Sequence, residues 1–269
     1  MSNRVPIFNV SDEGLVVSLP KTAFGCVAVA EKTPMIQVSF DGRVSSLDFD
    51  FATTNGGYCG MSNGMLTCSS HGGTNGTAVA KTLKIGHYNP GQGLLAQFSG
   101  IFTPGVVDNA RLLGYGDITN GFFVGYIGTT FSLTMRTDRT GSVVDNVYSI
   151  SDWNGNLDKA GVSFDPTKSN VYFIRAQLHF MGSIDFILID GIREVLMHRI
   201  QWNDQLHTGV TLRTASLPFY MSSVNSNSST ANATVQTASV GIFTEGHPGN
   251  GRQPFAHHVE VTGVTTEET

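Results

Sequence analysis

The stretch 121–137, GFFVGYIGTTFSLTMRT, is where the fold class is decided. Within it Phe131, Leu133 and Met135 alternate with Thr130, Ser132, Thr134 and Arg136. That is a period of two, with one apolar and one polar face, and it predicts a half-buried strand. Further along, residues 171–180 repeat the pattern: Tyr172, Ile174, Ala176, Leu178 and Phe180 share one face, and Arg175, Gln177 and His179 share the other. Asp190-Gly191 then joins 184–189 to 192–202, where Glu194, Leu196, His198, Ile200 and Trp202 are expected to face away from Val195, Met197, Arg199 and Gln201. Other strand candidates are 79–86, 94–103, 111–116, 208–214, 217–223, 231–237 and 239–244. Strands at roughly 8–15-residue spacing with turn signals between them argue for an all-β fold. The expectation is one antiparallel β-sandwich, jelly-roll-like, over residues 35–245.

Outside those segments the pattern loosens. Residues 1–34 read as an N-terminal arm and 246–269 as a polar, Pro/Gly-rich C-terminal tail. Asp41-Gly42 between apolar runs in 35–51 predicts a hairpin. Residues 53–78 are dominated by Gly, Ser, Thr and Asn, whose ordering is costly, and read as an irregular loop with a short strand at 65–68. Asp165-Pro166 reads as a turn.

Composition excludes several classes. Sixteen Lys and Arg against 21 Asp and Glu give a net charge of −5, without a basic cluster, so nucleic acid is not an expected partner. No apolar run reaches the roughly 18 residues of a membrane span, and residues 1–14 lack the apolar core of a signal peptide. Three cysteines, Cys26, Cys59 and Cys68, are an odd count that reads as reduced thiols.

Candidate chemistry is sparse. Gly60-Met-Ser-Asn-Gly64 matches a nucleophile elbow around Ser62, but the flanks lack the strand and helix that would strain the turn. Cys59, Cys68 and His71 have neither zinc spacing nor a fourth ligand. His257, His258 and Glu260 lie in the tail. His179 and His198 would be an acid/base pair only if they shared a groove, and their faces differ. Asp185, Asp190 and Glu194 flank one strand, where carboxylates also serve as ordinary edge charges. Trp153, in Asp152-Trp153-Asn154, and Trp202 could be sugar platforms, with core packing the alternative. No catalytic residue, cofactor or metal ligand is assigned.

A resemblance adds to this. Pro90 to Gly93, then Gly116-Asp117, Gly121 to Tyr126, Asp165 to Val171, His198 to Ile200 and Phe243 to Gly246 occur in a fixed order. Over about residues 22–246 the chain resembles a β-sandwich module of structural proteins in large DNA viruses and tailed phages. It departs from them at 177–182, where a Gln-Trp-Leu-Gly run is replaced. The resemblance implies a non-enzymatic virion component (capsid, spike or tail) made in the host cytoplasm. It would assemble with itself, a trimer being favoured, and with other virion proteins. The alternatives are a carbohydrate- or receptor-binding fibre or spike module whose partner is a host glycan, and, third, a glycoside or ester hydrolase.

Overall fold

The structure is a computed structural model and describes residues 31–42, 44–157, 160–177, 181–202 and 207–246. The expected arm (1–34) and tail (246–269), Cys26, His179, and the set His257, His258 and Glu260 lie wholly or almost wholly outside them. Sixteen strands follow in chain order. They are β1 (Lys32–Ser39), β2 (Phe49–Thr54), β3 (Tyr58–Ser62), β4 (Met65–Ser69), β5 (Thr77–Thr82), β6 (Gly93–Phe102), β7 (Asn109–Gly116) and β8 (Gly121–Ile127), then β9 (Thr130–Thr137), β10 (Val144–Ser149), β11 (Asn170–Ala176), β12 (Ser183–Asp190), β13 (Arg193–Gln201), β14 (Phe219–Asn225), β15 (Thr234–Thr237) and β16 (Ser239–Glu245). One 3-10 turn spans Ile150–Asp152.

All ladders are antiparallel, and they form two sheets. The seven-stranded sheet has the order β10-β9-β8-β7-β14-β5-β2. The nine-stranded sheet runs β13-β12-β11-β6 and then forks. β6 is long enough to pair with β16 along Gly93–Phe98 and with β15 at Ile101–Phe102. Beyond the fork, β16 pairs with β1 and β15 pairs with β4, which pairs with β3. This is the expected sandwich.

Its core is aromatic. The Phe131 ring meets Tyr126 and Phe164 at 5.2 Å and Phe102 at 5.4 Å. Such edge contacts between rings add to the burial of their area. Arg111 is fully buried on the inner side of β7. It donates to Thr103 Oγ1 at 2.7 Å and to the Pro104 carbonyl at 3.0 Å, and lies over the Tyr126 ring. Burial lowers its pKa to about 10.

Four local expectations change. The Asp41-Gly42 hairpin does not form: β1 pairs with β16 and β2 with β5, in different sheets. Phe40 and Phe49, at the ends of the crossing segment, are 1 % and 2 % exposed and their rings sit 5.5 Å apart. Burying both rings between the sheets outweighs local pairing. The short strand expected at 65–68 is β4, but the rest of 53–78 is not an irregular loop: it holds the end of β2, β3 and the start of β5. Asn63 and Gly64, at φ 52° and 72°, make the two-residue turn that joins β3 to β4. Leu66 and Cys68 point into the core at 0 % exposure, so alternation was present behind the low-complexity composition. The strand expected at 208–214 is absent, although Leu212 is buried there. Finally, β13 carries a bulge opposite Phe186 and Ile187. The extra residue breaks the alternation, so Val195, His198 and Ile200 face inward while Leu196 and Arg199 face outward.

The free edge of β13 is covered by 153–156. Asn154 donates its amide to the Arg199 carbonyl at 3.0 Å and accepts from the Arg199 N–H at 2.7 Å. Gly155 and Asn156 N–H groups bond the Met197 and Leu196 carbonyls.

Candidate functional site

The outer face of the nine-stranded sheet is built in rows by its register. One row reads Gln37, Gly241, Gln97, Phe173, Ile187 across β1, β16, β6, β11 and β12. On one side of it lies a row with Ser39, Ser239, Ser99 and Val171. On the other side lies Phe243, Leu95, Arg175, Asp185, Arg199. An open groove of about 630 Å³ runs over the first row from Gln37 to Phe173, over the serine row with Val171, and over Phe243 of the third.

Each part of the groove has a local cause. Gly241 has no side chain, and the Phe243 ring fills the vacancy: a Cβ there would sit 2.5 Å from the ring. An aromatic ring laid over a glycine two residues away restores contacts the glycine cannot make. It also lays the ring along β16. Phe173 lies one strand beyond Gln97, with the Lys32 ammonium 5.6 Å from its ring centre. Both rings remain partly exposed, and Gln37 and Ser39 are exposed. The Ser99 hydroxyl accepts from the Ala238 and Ser239 N–H groups, so it is held in place. The result is two apolar rings with amides and hydroxyls between and beside them. That suits a ligand having both apolar faces and hydroxyl edges.

A second depression, about 360 Å³, lies on the outer face of the seven-stranded sheet between Asp50, Lys81, Asp117, Ile118 and Tyr220. Its charges are already engaged. Lys81 pairs with Asp50 at 3.3 Å, and one Asp117 oxygen accepts from the Thr119 and Asn120 N–H groups at 2.7 and 2.8 Å.

The residues singled out in the sequence fall elsewhere. Ser62 is the last residue of β3 beside a hairpin turn, which is not the strand-to-helix elbow a nucleophile needs. Cys59 and Cys68 are adjacent, whereas His71 is an exposed turn residue at φ 45°. No group of three or more His, Cys, Asp or Glu able to hold a metal exists among the described residues. Both oxygens of Asp185 are taken by Arg199, at 2.6 and 2.7 Å. Glu194 binds Arg175 at 2.7 Å, and Asp190 pairs with Arg193. These carboxylates are partners of cations.

His198 is 5 % exposed and packs against Tyr148 with ring centres 4.6 Å apart and planes tilted by 34°. Its Nδ1 accepts from the Asn154 N–H at 3.3 Å, and burial holds its pKa below the usual imidazole value. Trp153 packs among Phe131 and Phe164 and donates to the Tyr148 carbonyl, while Trp202 is 6 % exposed with His207 stacked on it at 3.8 Å. Both indoles are packing groups. Little in the sequence marks the residues that line the groove: Phe173 sits on the mainly polar face of its strand, and Gln97 and Gly241 carry no motif. The signal available was the closing Phe-x-Glu-Gly segment, in which Phe243 sits two residues after a glycine.

The chain matches no protein-family model and no curated protein sequence. Solved structures share its fold. The catalytic domain of an endo-1,3-beta-glucanase (laminarinase) from Thermotoga petrophila RKU-1 aligns with a TM-score of 0.53 and 10% identity, over 81% of this chain and 100% of that one. A glycosyl hydrolase family protein from Mycobacterium fortuitum gives 0.52 at 10% identity, over 78% and 99%. The Emp47p carbohydrate recognition domain gives 0.50 at 8% identity, over 80% and 97%. At such identities the likeness is one of fold: a jelly-roll sandwich of two antiparallel sheets.

Proposed function

We propose that the chain is a non-enzymatic carbohydrate- or receptor-binding module, and that the groove over Phe173, Phe243, Gln37 and Gln97 receives the sugar. The observation that carries this is the pair of partly exposed phenyl rings set among amides and hydroxyls on an otherwise regular sheet face. A pyranose presents C–H groups on one face and hydroxyls around its rim. The rings take the first and the amides the second. That a carbohydrate recognition domain adopts the same fold supports the reading, as does the engagement of Asp185 and Glu194 by arginines where a hydrolase would need free carboxyls.

The setting we propose is a virion attachment spike or fibre, assembled with itself and with other virion proteins; it rests on the resemblance in sequence. The test is a printed array of mono- and oligosaccharides probed with the full chain, followed by calorimetry on the best hit with the wild type and Phe243→Ala. Binding that drops about tenfold in the variant, roughly 1.4 kcal/mol, with an unchanged circular dichroism spectrum is the expected result. An array blank at millimolar sugar sinks the glycan reading. Multiple turnovers on a glucan or ester panel would sink the non-enzymatic one.

A further inference from the structure

Cys59 and Cys68 are directly opposite each other on β3 and β4, with their sulfurs 2.7 Å apart. The register explains the contact. The Asn63-Gly64 turn makes Ser62 and Met65 the first hydrogen-bonded pair, and pair types then alternate up the ladder. Three steps on, Cys59 and Cys68 fall at a position without backbone hydrogen bonds between the two residues. There the Cα atoms of paired strands approach to about 4.5 Å, within the span a disulfide can bridge. Of the two, Cys59 is half-buried and Cys68 fully buried. Both are free thiols in this structure.

We propose that Cys59 and Cys68 are a reversible dithiol/disulfide site: oxidation staples β3 to β4, and a reducing compartment opens the staple again. The inference is independent of the glycan reading. With a glutathione-type disulfide as oxidant, the better exposed Cys59 thiolate attacks one of its sulfurs, and a glutathione thiolate leaves with the bonding pair. Cys68 then loses its proton to solvent and attacks the Cys59 sulfur, and the second glutathione leaves. Two protein thiols are oxidised and one glutathione disulfide is reduced to two thiols. Burial, together with the neighbouring Cys59, raises the Cys68 pKa well above the ordinary thiol value, so the second step quickens as pH rises. β3 pairs only with β4 among the described strands, so the staple fixes a strand otherwise held from one side.

The test is intact-mass analysis and peptide mapping of the full chain, which has three cysteines, after incubation with excess glutathione disulfide. The expected product is two hydrogens lighter, retains one titratable thiol after denaturation, and yields a cross-linked peptide joining 59 to 68. Cys26→Ser should still close, and Cys59→Ser should not. Amide exchange along β3 should slow on closure. Three thiols remaining, a glutathione adduct accumulating on Cys59 without closure, or a link involving Cys26 would each overturn the proposal.

Discussion

On the seven-stranded sheet the Phe123 ring lies against Gly116 and Gly121 on the outer face, and it is fully buried beside Leu112 and Tyr220. On the nine-stranded sheet the Phe243 ring lies over Gly241, also on the outer face, and it remains partly exposed. The same local device, a ring bedded on a glycine, thus has two outcomes. Around Phe123 the neighbours are themselves sealed, with Ser132 and Thr134 at 0 % exposure. Beside Phe243 stand buried Leu95 and, in the next row, half-buried Gln97 and exposed Gln37. A glycine-bedded aromatic is thus sealed on one sheet and left partly open to solvent on the other. What decides is the row of side chains around the ring.

Substitution of the two rings should separate these roles most strongly. Phe123→Ala empties a buried site and should lower unfolding free energy by about 3–5 kcal/mol in urea titration. Phe243→Ala should lower it by less than about 1 kcal/mol, because part of the ring is already in water. Equal losses would erase the distinction. The glycines give a smaller contrast. An alanine Cβ at Gly121 would meet the Gly116 Cα at 2.5 Å, and backbone cannot yield cheaply. Gly121→Ala should therefore cost about 1–3 kcal/mol. At Gly241 the clashing atoms belong to the end of the Phe243 ring, which can swing outward. Gly241→Ala should change stability by about 0.5 kcal/mol or less while weakening sugar binding several-fold, read by calorimetry alongside thermal melting.

The smallest effect concerns His198, which lies inside the sandwich edge and belongs to neither outer face. Burial lowers its pKa, so the folded state favours the neutral imidazole. Above the unfolded value of about 6.5 this costs nothing. As pH falls below that value the unfolded chain binds a proton that the folded chain resists, and stability declines until pH passes the folded pKa. The wild-type melting temperature should therefore fall between pH 7 and 5 more steeply than that of His198→Phe. Parallel slopes would remove His198 as the cause.

Much of the fold was legible in the sequence because strands announce themselves by alternation. Residues 130–137 could be read directly, the strand expected at 171–180 forms but ends at Ala176, with 178–180 outside the described residues, and Asp190-Gly191 marked the β12–β13 hairpin correctly. What failed did so where tertiary contact overrides local pattern. Phe40 and Phe49 look like members of one hairpin until both are required between the sheets. Met197 looks like one more alternating residue until a bulge shifts the register around it. The groove was less legible than the fold. Its row Gln37, Gly241, Gln97, Phe173 comes from four strands far apart in the chain, and only the register of three ladders places them side by side.

The cover over β13 has a consequence for how the molecule can join others. Asn154 offers its side-chain amide where an incoming strand would offer a peptide group, satisfying both the N–H and the C=O of Arg199. That end of the nine-stranded sheet is already terminated, in the way a capped monomer ends a growing polymer. Among the described strands, the edges left for a second chain to extend this sheet are β1 and β3, at its forked end. Strand addition there meets two distinct edges, reached through different arms of the fork.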